Sequence, residues 1–401
     1  MQSSTCAALF SGLVAAALSP IASQRGSRPA RKKRQRRQFR PLSTFLRPRR
    51  VSLTGRQGGA GGLVGALLLA SVALPARAEA DFSIERTEQW SMTSAKGDVY
   101  SVSIALPQIP APATGYRVIY ALDPQWSFAT LVETARLQED LLGPTVIVGI
   151  GYPQFSNDRR MFDMTIPADR ATLPNNRFDP PYGAIGGADA FLTFIETMVK
   201  PAVAKRVRIN GSQQTLVGHS LGGLLVLHAL FTRPDSFQTY AAGSPSIWWG
   251  DRAINRELQA FAKRDLPAPR RLLITVGGLE QRSSPAQDAL AASSVAAEDR
   301  AAVVKMSRCI TREMAQVDHA RWLAQRLRDA GPPQLEVRYV EFDDEDHLSV
   351  VPSFLARAVR FASSGMLERP TSRGLRSSNS APPSTDLLAC TRPFQSTPAK
   401  K

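Results

Sequence analysis

One short turn constrains this chain more than any other part of it. Gly218-His219-Ser220-Leu221-Gly222 fits the pattern G-x-S-x-G. It lies between the apolar run ending at Val217 and the helix-forming run Leu221–Thr232. That strand–turn–helix context is what the pattern needs before it counts as a nucleophile elbow. The bend is sharp, so the positions on either side of the serine must lack bulk, and Gly218 and Gly222 supply that. Ser220 is expected at the strand tip with its hydroxyl exposed. Leu221 would offer a backbone N–H at a helix start, where donors are unpaired and the dipole favours an anion. A chance glycine-rich turn is the alternative, and correct flanks on both sides outweigh it.

The rest of the body alternates in a matching rhythm. Trp90–Thr93 and Val99–Leu106 read as antiparallel leading strands. Arg117–Leu122 and Thr145–Ile150 are short continuous apolar runs, the pattern of parallel strands buried on both faces. A helix from about Phe128 to Leu141 fits between them, and residues 152–186 read as loop. A helix at Ala188–Lys200 precedes the elbow strand. After the elbow come Thr239–Ala242, a helix near 252–263, and Arg271–Val276. A long helical stretch then runs to Ala330, followed by the strand Leu335–Phe342 and a last helix from about Val350 to Ala362. Strands alternating with helices give a single α/β domain, a mostly parallel sheet flanked by helices on both faces. The stretch 283–304, rich in Ala, Ser and Asp, reads as an inserted flap rather than core.

The formal net charge of +16 suggests a polyanion partner, but its distribution excludes one. Residues 1–78 carry 14 basic and no acidic residues, and the tail from 367 carries 6 basic and 2 acidic. The body between them holds 30 basic and 32 acidic residues, with no electrostatic footprint for nucleic acid. The leader resembles an export signal. Arg-rich sequence precedes the apolar run Leu63–Leu74, and Ala76 and Ala78 form an A-x-A cleavage site that puts the mature start near Glu79. Twelve apolar residues are too few for a bilayer span, which needs roughly 20, so no stable membrane insertion is expected and the product is periplasmic or secreted. Arg49-Arg50 hints weakly at twin-arginine export, because Ser52 stands where a large apolar residue is usual. A leader of 78 residues is long, and the natural start is expected nearer 40–51. The segment from Pro370 to Lys401 is rich in Ser, Pro, Thr and Arg and reads as disordered. Cys309 and Cys390 could pair in an oxidising compartment, but ordering that tail for the bond is unfavourable. Neither C-x-x-C nor clustered His/Cys spacing occurs, so no metal and no cofactor is expected.

A serine needs a base, and the base needs an orienting partner. Of four histidines, His219 lies inside the elbow and reads as structural; His228 and His319 lie in helical runs and read as packing or surface. His347 differs. It follows strand Leu335–Phe342 and the acidic loop 343–346, at the sheet edge where α/β folds gather their chemistry. Glu280 is the first carboxylate after strand Arg271–Val276. The order Ser220, Glu280, His347 matches the α/β-hydrolase arrangement. Asp288 and the cluster Asp343, Asp344, Glu345 and Asp346 compete with Glu280, but the cluster sits too near His347 in sequence to approach it easily. The second oxyanion donor should come from the turn Asp123-Pro124-Gln125-Trp126. Pro124 lacks an N–H, which leaves Gln125 first and Trp126 second.

At this point the chain resembles the esterase family of α/β-hydrolases that includes the enterochelin-type (catecholate siderophore) esterases, especially the periplasmic branch. The stretches that carry the resemblance are Val118–Asp123, Gly218–Gly223, Ala242–Trp249, Ile274–Glu280 and His347–Pro352, spread over roughly 83–364. The resemblance implies an α/β-hydrolase fold with Ser220 as nucleophile, His347 as base and Glu280 as acid. Some siderophore esterases of this kind lack the acid, and Glu280 is a departure from those. Their motif of Arg three residues before Asp, followed by Thr and Pro, is similar to Arg160-Met-Phe-Asp163-Met-Thr165-Ile-Pro167, with one extra residue before Pro167. By that resemblance Arg160 would hold an anionic or catecholate-iron group, a task that suits an always-charged bidentate donor. A surface salt bridge with Asp158 or Asp163 accounts for it equally well. Trp126, Trp248 and Trp249 would line an aromatic-accepting pocket or simply pack. The expected function is an exported serine esterase acting on a small-molecule ester, a ferric siderophore lactone being the class the resemblance implies. A general short-chain or aromatic-acyl esterase is the alternative within enzymes, and a binding protein on a hydrolase scaffold is the alternative outside them.

Overall fold

The computed structural model describes residues 83–173, 183–293, 295–364 and Cys390. The segment read as a leader, with the expected cleavage site, lies outside the described residues, as does the tail apart from Cys390.

Among the described residues eight strands form one sheet: β1 (Thr87–Thr93), β2 (Val99–Ala105), β3 (Tyr116–Leu122), β4 (Thr145–Gly151), β5 (Ile209–His219), β6 (Thr239–Gly243), β7 (Arg270–Gly277) and β8 (Leu335–Phe342). Their order is β1-β2-β4-β3-β5-β6-β7-β8. β2 pairs antiparallel with β1 and β4, and every pair from β4–β3 to β7–β8 is parallel. The central strands are the continuous apolar runs. β4 is buried at every position and β6 likewise, because helices cover both faces.

Among the described residues the α-helices longer than one turn are α1 (Pro124–Leu137), α2 (Asn157–Met164), α3 (Ala188–Phe194), α4 (Lys200–Arg206), α5 (Leu221–Thr232), α6 (Ile254–Phe261), α7 (Pro285–Ser293), α8 (Arg300–Glu313), α9 (Gln316–Ala330) and α10 (Val350–Ser363). α5 is apolar all round and is buried from Leu221 to Phe231, as expected of a helix enclosed on every side. The core divides about the sheet. One cluster contains Val118, Leu216, Leu224, Tyr240 and Trp249; the other, containing Ile119, Leu131, Val217, Phe354 and Leu355, lies between the strands and helices α1 and α10.

Three expectations need correction. The stretch 152–186 is not all loop, since it contains α2, whose start is capped by Ser156 accepting from the Arg159 N–H. Residues 283–304 are not merely a flap. Ala291 on α7 and Val303 on α8 are buried in the core. Cys309 and Cys390 are joined in a disulfide, with Cα atoms 5.7 Å apart across a sequence separation of 81. Composition disfavoured that bond because it reports the cost of ordering a segment and not the contacts, here a buried Cys390, that offset it. Among the described residues no helix is long and apolar enough to cross a membrane.

Candidate active site

β5 ends at His219, and the chain reverses into α5 through Ser220. Ser220 takes φ 60° and ψ −118°, a strained conformation for a residue with a side chain. Three backbone bonds hold it. Its N–H donates to Gly243 O at 2.9 Å, and its carbonyl accepts from Leu224 N at 3.0 Å and Ser246 N at 3.2 Å. The bend depends on glycine. A Cβ on Gly218 would lie 2.4 Å from Gly222 O. At Gly222 itself an added Cβ would meet nothing closer than 3.5 Å outside its own helix turn, so the second glycine is less demanding than the motif suggests.

His347 stands in the loop between β8 and α10, half-buried, and its Nδ1 lies 2.6 Å from Glu280 Oε2. Glu280 is buried after β7. Its other oxygen, Oε1, accepts from Ser244 Oγ at 2.5 Å and Gly277 N at 2.6 Å. Two donors fix the carboxylate, and the carboxylate fixes the imidazole. Two of the competing acids are occupied elsewhere. Asp288 pairs with Arg308, and Asp346 accepts from the N–H groups of Leu348 and Ser349.

The His219 ring packs against the His347 ring, centroids 4.6 Å apart at an angle of 46°. Burial, reinforced by His347 and Arg160, holds His219 well below the usual histidine range, so it is neutral; a hydrogen bond with the His347 main chain works in the opposite direction. This contact brings His347 beside the elbow. Ser220 Oγ itself lies 3.5 Å from Ser246 Oγ and forms no hydrogen bond with His347.

The turn after β3 places Asp123 in a left-handed conformation, φ 52° and ψ 59°, and α1 begins at Pro124. Asp123 O accepts from Trp126 N at 3.0 Å and Ser127 N at 3.2 Å. The Trp126 N–H is therefore engaged. Gln125 is exposed at the helix start, and among the described residues its N–H has no partner. The Leu221 N–H, first in α5, is likewise without a partner.

Arg160 does not form the surface salt bridge with Asp158 or Asp163. It is buried, at 2% exposure, and its Nε and Nη2 donate to the two oxygens of Asp123 at 2.8 and 2.9 Å. Asp163, the carboxylate three residues on, pairs instead with Arg159 at 2.9 Å. Trp126 lies over the Arg160 guanidinium at 5.3 Å and tilts against Phe155 at 5.2 Å. Trp248 is buried at 9% exposure, and Trp249 is buried with its Nε1 donating to Ile166 O. Sequence reasoning did not single out Ser244, Ser246 or the carboxylate of Asp123. Each lies in a turn beyond a strand end and meets its side-chain partner 26 to 37 residues away in sequence, which no periodicity marks. A cavity of about 650 Å³ opens at the opposite edge of the sheet beside Arg117, Arg271 and Gln334, and none of the groups above lines it.

Parallel sheet, elbow serine and an imidazole–carboxylate pair at the C-terminal strand edge define an α/β-hydrolase. The family model described as "Putative esterase" matches residues 93–324, and the chain belongs to that family. It is a hydrolase acting on ester bonds. It is 35% identical to the ferri-bacillibactin esterase BesA of Bacillus subtilis over 292 residues, covering 70% of this chain and 91% of that protein. It is 32% identical to a siderophore enterobactin esterase of Emericella nidulans, covering 68% of this chain and 92% of the relative. Among solved structures, the BES protein of Bacillus cereus matches with a TM-score of 0.60 at 31% identity, over 72% of this chain and all of that one. The siderophore hydrolase EstA of Aspergillus nidulans matches at 0.59 and 31%, over 71% and 99%.

Proposed function

We propose that this protein is an exported serine esterase that opens the ester bonds of a siderophore, using Ser220, His347 and Glu280. The observation that carries the reading is the 2.6 Å contact between His347 Nδ1 and Glu280 Oε2 beside a serine held at positive φ. Ser220 Oγ attacks the ester carbonyl while His347 Nε2 takes its proton. The tetrahedral oxyanion is met by the N–H groups of Leu221 and Gln125. Collapse breaks the acyl–oxygen bond, and His347 returns the proton to the departing alkoxide. Water then repeats the sequence on the acyl-enzyme, releasing the acid and restoring Ser220. The serine–histidine hydrogen bond of such sites commonly tightens only around substrate. Each oxyanion donor contributes about 3 kcal/mol to lowering the barrier, by the usual effect of donor removal.

The siderophore class rests on the relatives, which act on ferri-bacillibactin and enterobactin by name. Trp126 with Phe155 offers an aromatic surface next to Gln125 in the chain that suits an aryl acyl group, whereas Trp248 is buried against Trp249 and has little area to offer. The Cys309–Cys390 disulfide suits the oxidising compartment to which the leader points. A fluorophosphonate probe should label the wild type and not Ser220→Ala. A panel of p-nitrophenyl esters and catecholate trilactones, iron-loaded and iron-free, then tests the substrate. Absence of labelling overturns the mechanism. Hydrolysis of p-nitrophenyl esters with the trilactones left intact would make the protein a general short-chain or aromatic-acyl esterase.

A further inference from the structure

Asp123 and Arg160 form a buried ion pair whose side chains are 5% and 3% exposed. Such a pair seldom stabilises a fold more than apolar packing would, so its presence calls for another account. Its position supplies one. Asp123 sits at the point where β3 turns into α1, holds a left-handed conformation despite having a side chain, and does not cap its own helix. Its carboxylate turns away to the fork of Arg160, while its carbonyl gathers the N–H groups of Trp126 and Ser127. Ser127 Oγ ties the same turn from below, donating to Leu122 O at 2.8 Å and Asp123 O at 3.0 Å. Gln125 is the residue left over.

Arg160 also faces the elbow. Its Nη2 donates to His219 O at 3.4 Å, one residue before Ser220 and two before Leu221. A Cβ built on Gly222 would have Asp123 Oδ2 as its nearest neighbour at 3.5 Å, so the carboxylate lies against the first turn of α5. One guanidinium therefore touches both chain segments that carry the oxyanion donors of the proposed mechanism.

We infer that the Asp123–Arg160 pair is a positioning device for the oxyanion hole. It sets the Gln125 N–H in register with the Leu221 N–H, and Arg160 spends its charge on Asp123 rather than on an anionic substrate. The inference rests on the esterase reading above. It differs from the anion-binding role that the motif around Arg160 implies, because the two roles separate on substrate charge. A donor displaced by about 1 Å costs on the order of 100-fold, and the cost falls on the transition state whatever the substrate's charge.

The test uses Arg160→Lys, which keeps the charge and loses the fork, and Asp123→Asn, which keeps the shape and loses the charge. Folding is checked by circular dichroism. Each folded variant is assayed for kcat and KM on neutral p-nitrophenyl butyrate and on a ferric catecholate trilactone, and for Ki of benzeneboronic acid, whose adduct on Ser220 is a tetrahedral anion. Expected is a ten- to hundredfold fall in kcat on both substrates, KM within about twofold, and a boronate Ki that rises in step with the loss. A loss confined to the anionic trilactone would make Arg160 a substrate ligand and overturn the proposal. Unchanged kcat on both, or loss of the fold in both variants, would reduce the pair to a structural role and overturn it too. A wild type that hydrolyses neither substrate is a separate result that removes the esterase reading itself.

Discussion

At the scale of single residues, the site divides its work between a serine buried at 6% exposure, where the sequence led to an exposed hydroxyl, and a fixed carboxylate. Ser220→Ala removes one oxygen from a residue whose strained backbone is held by main-chain bonds, so the fold should survive. Ester hydrolysis should fall by several orders of magnitude, as when any member of a cooperating triad is lost. More than about a tenth of wild-type activity would be incompatible with Ser220 as nucleophile. Glu280→Gln keeps the volume but cannot hold His347 in the required tautomer, and kcat should drop roughly 10²–10⁴-fold. Ser244 and the Gly277 N–H would still hold the amide oxygen, so the loss should appear in kcat with little change in melting temperature. If kcat hardly moves, the site works as a serine–histidine dyad. That Ser220, Glu280 and His347 each follow the C-terminal end of a strand was legible in the sequence, and the roles proposed for them start from that placement. Ser244, Ser246 and the carboxylate of Asp123 were not legible, since their partners lie 26 to 37 residues away in sequence and follow no periodicity.

At the scale of the element, the elbow distinguishes its glycines. A Cβ on Gly218 would sit 2.4 Å from Gly222 O, and one on Gly223 would sit 2.7 Å from Gly243 O, both backbone atoms with no freedom to yield. Gly222 meets only ordinary contacts outside its own helix turn. Gly218→Ala and Gly223→Ala should therefore each cost about 1–3 kcal/mol or more and should displace Ser220. Gly222→Ala should be much milder. Chemical denaturation of the three variants measures the contrast, and equal losses at all three positions would contradict it. The motif pattern treats 218 and 222 as equivalent; packing against β6 makes 223 the more constrained of the later two. Helix α2 shows the converse limit. Its sequence, Asn157–Met164, is mostly polar, and its place depends on Arg159 reaching Asp98 and Arg160 reaching Asp123, contacts 61 and 37 residues distant. A loop reading was the natural result of local pattern alone.

For the whole molecule, the central strands were readable because buried parallel strands such as β3, β4 and β7 are unbroken apolar runs, whereas the order of strands in the sheet has no local signal. Charge and covalent closure were not readable either, and they govern how stability responds to conditions. His319 on α9 has its pKa lowered from 6.5 to about 4, chiefly by burial and then by Arg252, with Asp318 and Asp251 opposing. The unfolded chain thus takes up this proton near pH 6.5 and the folded one only near 4. Stability is complete above 6.5 and falls as pH drops through that window, by about 3 kcal/mol for this group. His319→Gln should flatten the slope in urea titrations stepped from pH 7 to 4; an unaltered slope would assign it to other groups. The disulfide acts on the unfolded ensemble instead. Closing 81 residues between Cys309 and Cys390 limits the denatured chain and should stabilise the fold by about 2–4 kcal/mol. Cys309→Ser and Cys390→Ser should each lose that amount, and the double variant should lose no more than either single one, because one bond cannot be removed twice. Unfolding midpoints of the three variants against the wild type decide it: additive losses would mean that each cysteine contributes through its own packing, not through the bond between them.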